Sequence, residues 1–134
     1  MDSPLQRTQI KNSAHRILII ESDNELRISL SRLLSREKFE VFPTANPEQA
    51  AIYLDKMMIG CVIFGLNQPF KEAISHLKSI VCHKQKPKVL VLSSFDWQEV
   101  QKEMLNIKIN HFLTKPVKQE QLIKQIVEHK SSAS

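Results

Sequence analysis

Cys61–Pro69, CVIFGLNQP, is an apolar run that meets a glycine and leaves through a polar turn closed by proline. A run this short and this apolar has the length and composition of a β-strand covered on both faces, and a break at Gly65 would end it. Similar runs occur at 16–20 (RILII), 39–42 (FEVF), 88–92 (KVLVL) and 111–113 (HFL). Between them, apolar residues recur at helical spacing, as in Leu26, Leu30, Leu33 and Leu34, or Ala50, Leu54, Met57 and Met58. Phe70 to Val81, Trp97 to Ile107 and Leu122 to Ile126 carry three further stripes of this kind. Asn46-Pro47 has the form of a helix cap followed by proline in the first turn, Pro87 separates the third helix from the fourth strand, and Pro116 is expected to open the fifth helix. Strict alternation of buried strands with amphipathic helices predicts an α/β fold: a (βα)5 doubly wound parallel five-stranded sheet in the order 2-1-3-4-5.

Composition narrows the function. A chain of 134 residues with 42% hydrophobic content is expected to form one domain over 15–130, with 1–14 a disordered extension and 131–134 a tail or the start of a linker. No apolar run approaches the roughly 20 residues that span a bilayer, and the N-terminus lacks a secretory core, so a cytoplasmic location is expected. Cys61 and Cys82 have neither metal-site nor redox-motif spacing and are expected to be reduced thiols. The net charge of +5 raises the question of nucleic acid, but the lysines are scattered and most of the few aromatic residues lie in apolar runs rather than among them. Direct nucleic-acid binding is therefore not expected.

In such a sheet, chemistry gathers at the carboxyl ends of the strands. These ends carry Glu21, Ser22 and Asp23; Gly65, Leu66 and Asn67; Ser93 and Ser94; and Thr114, Lys115 and Pro116. No histidine joins this set, since His111 begins its strand at the other end, so a Ser-His-Asp arrangement has no support. The first strand is not followed by a glycine-rich phosphate loop, which argues against nucleotide binding.

Three stretches, ILIIESDNELR at 17–27, VLVLSS at 89–94 and FLTKP at 112–116, are weak signals singly and specific together, in this order and spacing. With them, the span from Arg16 to about His129 resembles the response-regulator receiver domain, the CheY-like fold of two-component signalling. The resemblance implies a phosphoacceptor aspartate after the third strand, an acidic pair that holds Mg2+ after the first, a hydroxyl after the fourth and a lysine after the fifth, with a switch aromatic on the fifth. Carried across, Glu21 and Ser22 take the acidic positions, Ser93 the hydroxyl, Lys115 the lysine, Phe112 the aromatic and Pro69 the proline of the acceptor loop; the acceptor position itself falls on Gly65.

Glycine has no side chain and cannot form an acyl phosphate. With Ser22 in place of a second carboxylate, the degenerate site Glu21, Ser22, Asp23, Gly65, Ser93 and Lys115 is expected to hold no metal and to need no cofactor. Lys115 is expected to pair with Glu21 or Asp23, Ser93 to cap a helix or contact an anion, and Phe112 to be a buried aromatic. Gly65 is expected to supply backbone freedom that NQPFKEA, a loop without glycine, lacks. The implied function is that of a pseudo-receiver, not an enzyme, acting by phosphorylation-independent contact with a protein partner or a second copy. The implied face is formed by the fourth helix, fifth strand and fifth helix, with Lys102, Lys108, Lys118 and Lys124. Two alternatives stand beside it: the N-terminal regulatory module of a transcriptional regulator, and a receiver still phosphorylated at a non-standard residue such as Asp23.

Overall fold

The computed structural model describes residues 15–132, with side chains through Val127. Five strands, β1 (Arg16–Ile20), β2 (Glu40–Thr44), β3 (Cys61–Leu66), β4 (Lys88–Ser93) and β5 (His111–Thr114), alternate with helices α1 (Asn24–Arg36), α2 (Pro47–Lys56), α3 (Phe70–Val81), α4 (Trp97–Met104) and α5 (Gln119–Ser132). All strand pairs are parallel, in the order β2-β1-β3-β4-β5. The expected fold class is the observed one.

Period-two alternation divides the core into two layers. Leu18 and Ile20, Val62 and Phe64, and Val89 and Val91 point to one face, where Leu54, Ile74, Leu77, Val100 and Met104 of α2, α3 and α4 cover them. Ile17 and Ile19, Cys61 and Ile63, and Leu90 and Leu92 point to the other, under Leu30, Leu33 and Leu34 of α1 and Leu122 and Ile126 of α5. Side chains this deeply buried are each worth roughly 1.5–3 kcal/mol relative to exposure.

Local chemistry explains most boundaries. Asp23 caps α1 by accepting from the Leu26 amide at 3.1 Å, and Asn46 caps α2 by accepting from the Glu48 amide at 2.8 Å, with Pro47 in the first turn. Pro43 lies inside β2, which it can do because β2 is an edge strand. Four expectations differ. The third strand does not break at Gly65 but runs on to Leu66, with Gly65 paired to Leu92. Helix α2 stops at Lys56, and while Met57 still packs half-buried against the core, Met58 is exposed instead of on a core stripe. Pro116 lies ahead of the fifth helix, which begins at Gln119. At the C-terminus α5 extends through Ser132, so the first two residues of the expected 131–134 tail are helical. The expected disordered extension, 1–14, lies outside the described residues, as do 133–134.

Candidate functional site

At the carboxyl edge of the sheet, the chain leaves β1 at Glu21. Its backbone is fixed on both sides: the amide donates to the Thr44 carbonyl at 3.0 Å, extending the β1–β2 ladder, and the carbonyl accepts from the Arg27 guanidinium at 2.8 Å. Held this way, the Glu21 side chain crosses the top of β3 and is only 1% exposed. A buried carboxylate needs a counter-charge and hydrogen-bond donors, and Glu21 has both. Lys115 Nζ donates to Oε1 at 2.8 Å, while Asn67 Nδ2 at 2.8 Å and the Asp23 amide at 3.1 Å donate to Oε2.

Asn67 is the hub of the cleft. Its Oδ1 accepts from Lys115 Nζ at 2.7 Å and from Ser94 Oγ at 2.6 Å, and its Nδ2 also donates to Ser22 Oγ at 3.2 Å. One amide thus joins the ends of β1, β3, β4 and β5. No buried side-chain polar atom among the described residues lacks a partner, so the network closes on itself.

Gly65 lies beneath this carboxylate. A Cβ placed on it would stand 2.7 Å from Cδ of Glu21, closer than real Cβ atoms come, and a tight 3.0 Å from Oε2. Its φ is not in the left-handed region, so the expected role as a source of backbone freedom is not the one it plays. What glycine gives there is room for another side chain: a residue with a Cβ would have to displace the Glu21 carboxylate from its bonds to Lys115 and Asn67.

The remaining residues of the expected site diverge. Asp23 caps α1 through Oδ1, so it is Glu21 and not Asp23 that holds Lys115. Ser93 is fully buried; its hydroxyl donates to the Phe95 carbonyl at 2.7 Å and accepts from the Phe95 amide at 2.9 Å, a local turn and neither a helix cap nor a group facing the cleft. Ser94 is the hydroxyl that reaches in. Phe112 is half-buried rather than buried, and packs edge-on against Trp97 with ring centres 5.0 Å apart. Lys102, Lys108, Lys118 and Lys124 are all exposed.

The donor set does not fit Mg2+, which is held by carboxylates and substrate oxygens in near-octahedral geometry. The only carboxylate in the network is already bound to an ammonium and an amide, Asp23 is engaged in its cap, and Ser22 and Gly65 bring no charge. Among the described residues no cluster of histidine, cysteine, aspartate and glutamate could hold a metal ion.

A parallel 2-1-3-4-5 sheet with a lysine from β5 reaching over the end of β3 defines a receiver-type α/β domain. Comparison with known proteins agrees: the response regulator receiver domain family matches residues 17–127, and the chain belongs to that family. It is 31% identical over 118 residues to a two-component response regulator-like protein, PRR37, of rice (Oryza sativa subsp. indica), covering 84% of this chain and 16% of that protein. It is 29% identical over 112 residues to the cell cycle response regulator CtrA of Brucella ovis, covering 83% of this chain and 48% of that protein. The chain thus spans half or less of these relatives. Among solved structures, a CheY-like receiver domain from Methanospirillum hungatei superposes with a TM-score of 0.78 at 21% identity, covering 87% of this chain and 94% of that one. A signal receiver domain from Bermanella marisrubri superposes with a TM-score of 0.75 at 24% identity, covering 85% and 96%. No helix among the described residues is long and apolar enough to cross a membrane.

Proposed function

We propose that this domain is a receiver that signals in the cytoplasm by binding another protein, without phosphoryl transfer. The observation that carries this reading is the Glu21 carboxylate over Gly65. The position that the resemblance gives to the acceptor, Gly65, has no nucleophile, and the space a nucleophile would fill belongs to a carboxylate bonded to Lys115 and Asn67. Phosphoryl transfer depends on an accessible nucleophile and on cationic groups free to meet the transferring oxygens. Here the lysine is already engaged.

The surface of α4, β5 and α5 is the proposed contact face. Trp97, 39% exposed, packs edge-on against Phe112, and Lys102, Lys118 and Lys124 are exposed on these helices and the segment between them. An aromatic centre with a cationic rim suits a partner that is acidic and partly apolar, the charges steering approach and the rings supplying affinity. Reversing Lys118 and Lys124 to glutamate is expected to leave folding intact and weaken partner capture or self-association.

Incubation of the full chain with acetyl phosphate and Mg2+, followed by intact mass spectrometry, tests the central point. An unchanged mass is expected. A gain of one phosphoryl group, on Asp23 or any other cleft residue, would overturn the reading.

A further inference from the structure

At the end of the sheet opposite the Glu21–Lys115 cleft, a groove of about 630 Å³ runs between the C-terminus of α3, the start of β4 and the α4–β5 connection. Lys78, Lys86, Lys88 and Lys108 line it, all exposed, and no acidic residue does. None of the four ammonium groups lies within ion-pair distance of a carboxylate among the described residues, whose pairs are Arg16–Glu40, His83–Asp55 and Lys115–Glu21. Lys78, in the last turn of α3, complements the helix dipole; the other three are outside any helix and have no such role. Four unpaired like charges around one depression repel one another and are relieved by an anionic occupant.

We infer that this groove binds an acidic peptide segment of a partner protein. Val81, Pro87 and Ile107 give the lining an apolar part, a place for an aliphatic side chain between flanking carboxylates. Asn106 and Asn110 also line it; the Asn110 Oδ1 accepts from the Val89 amide at 2.8 Å, which leaves its Nδ2 and the Asn106 amide to meet a peptide backbone. The lining favours a peptide over nucleic acid: it holds no aromatic ring on which a base could stack and no arginine fork for phosphate. The inference is independent of the α4–β5–α5 contact face, from which it draws only Lys108.

The test is a titration of the isotope-labelled full chain with a fluorescein-tagged octapeptide of aspartate and glutamate around a central leucine, followed by amide shifts and by anisotropy. A twelve-residue oligothymidylate serves as the second arm. Saturable shifts are expected at Lys78, Cys82, Lys86 and Lys108, weakening steeply as salt rises, because exposed charges are screened. Lys86→Glu with Lys108→Glu is expected to weaken peptide binding at least about tenfold, while Lys71→Glu, exposed at the far end of α3, leaves it unchanged. Since all four lysines are exposed, the amide spectrum of the charge-reversed variant should remain that of the folded domain. Three results would overturn the inference: no saturable binding of the peptide, shifts confined to the α4–β5–α5 face, or tighter binding of the oligonucleotide than of the peptide in the groove.

Discussion

The carboxylate of Glu21 occupies the space above Gly65 that any side chain on that residue would need, with Cδ 2.7 Å from the position of a Cβ. The glycine and the glutamate are therefore one feature. A glycine inside a strand ordinarily costs about 0.5–1 kcal/mol relative to alanine, so Gly65→Ala would be expected to help. Here it should instead destabilise by about 1–3 kcal/mol, the usual cost of overpacking. In a Glu21→Ala background the same substitution should become neutral or favourable. Urea melts of the four proteins in the cycle would show this reversal, and equal effects in both backgrounds would refute the coupling.

Restoring phosphoryl transfer should need three changes rather than two. Gly65→Asp supplies a nucleophile and Ser22→Asp a second acidic group, but Glu21 still covers position 65. Glu21→Asp shortens that side chain by one methylene. We expect phosphoryl uptake from acetyl phosphate in the triple variant and little in the Gly65→Asp, Ser22→Asp pair, measured by intact mass. Equal uptake in both would show that Glu21 does not obstruct the site.

Lys115 and Glu21 form an ion pair with one partner almost wholly buried. Removing the ammonium leaves a carboxylate in the interior with its counter-charge gone, so Lys115→Ala should cost roughly 3 kcal/mol. Adding Glu21→Gln should recover part of that loss, because the stranded charge is then gone too. Thermal or chemical melts of the single and double variants measure the coupling; strictly additive effects would mean that the pair contributes nothing.

The two thiols should behave differently. Burial pushes the Cys61 thiol up to about 12, whereas Cys82 is exposed. One thiol should react with a disulfide reagent near neutral pH in the native protein, and two in denaturant. Because the folded state disfavours the Cys61 thiolate, its contribution to stability is intact below 9.0 and is lost as pH climbs toward about 12. A Cys61→Ala variant should lack that part of the alkaline slope. Rapid native labelling of both thiols would contradict the burial.

Much of the fold was legible because parallel strands covered on both faces advertise themselves as apolar runs, and β1 matches RILII residue for residue. Edges were harder. Phe39 is a core residue just before β2, while Pro43 falls inside that strand, so apolarity alone placed the strand one residue early and ended it two early. At the site, Glu21, Gly65 and Lys115 were found from their positions at strand ends, but the reason for Gly65 was not, since a clash depends on which side chain passes overhead. Asn67 is one of the strand-end residues, but a neutral amide there announces no role. Its importance lies in bonds to residues far away in sequence, Glu21, Ser94 and Lys115, which no local pattern signals. Ser93 and Ser94 are adjacent and chemically identical; only the turn at Phe95 decides which hydroxyl faces the cleft.

The most direct test of the closed cleft is an amide-shift titration of the full chain with beryllofluoride and Mg2+, a stable mimic of the acyl phosphate. With Glu21, Asn67 and Lys115 bonded to one another, the resonances of these residues and of Gly65 and Ser94 should stay where they are up to millimolar additions. A saturable shift at Lys115, Asn67 and Gly65 together would show that the network opens to admit a phosphoryl group, and would contradict signalling without one.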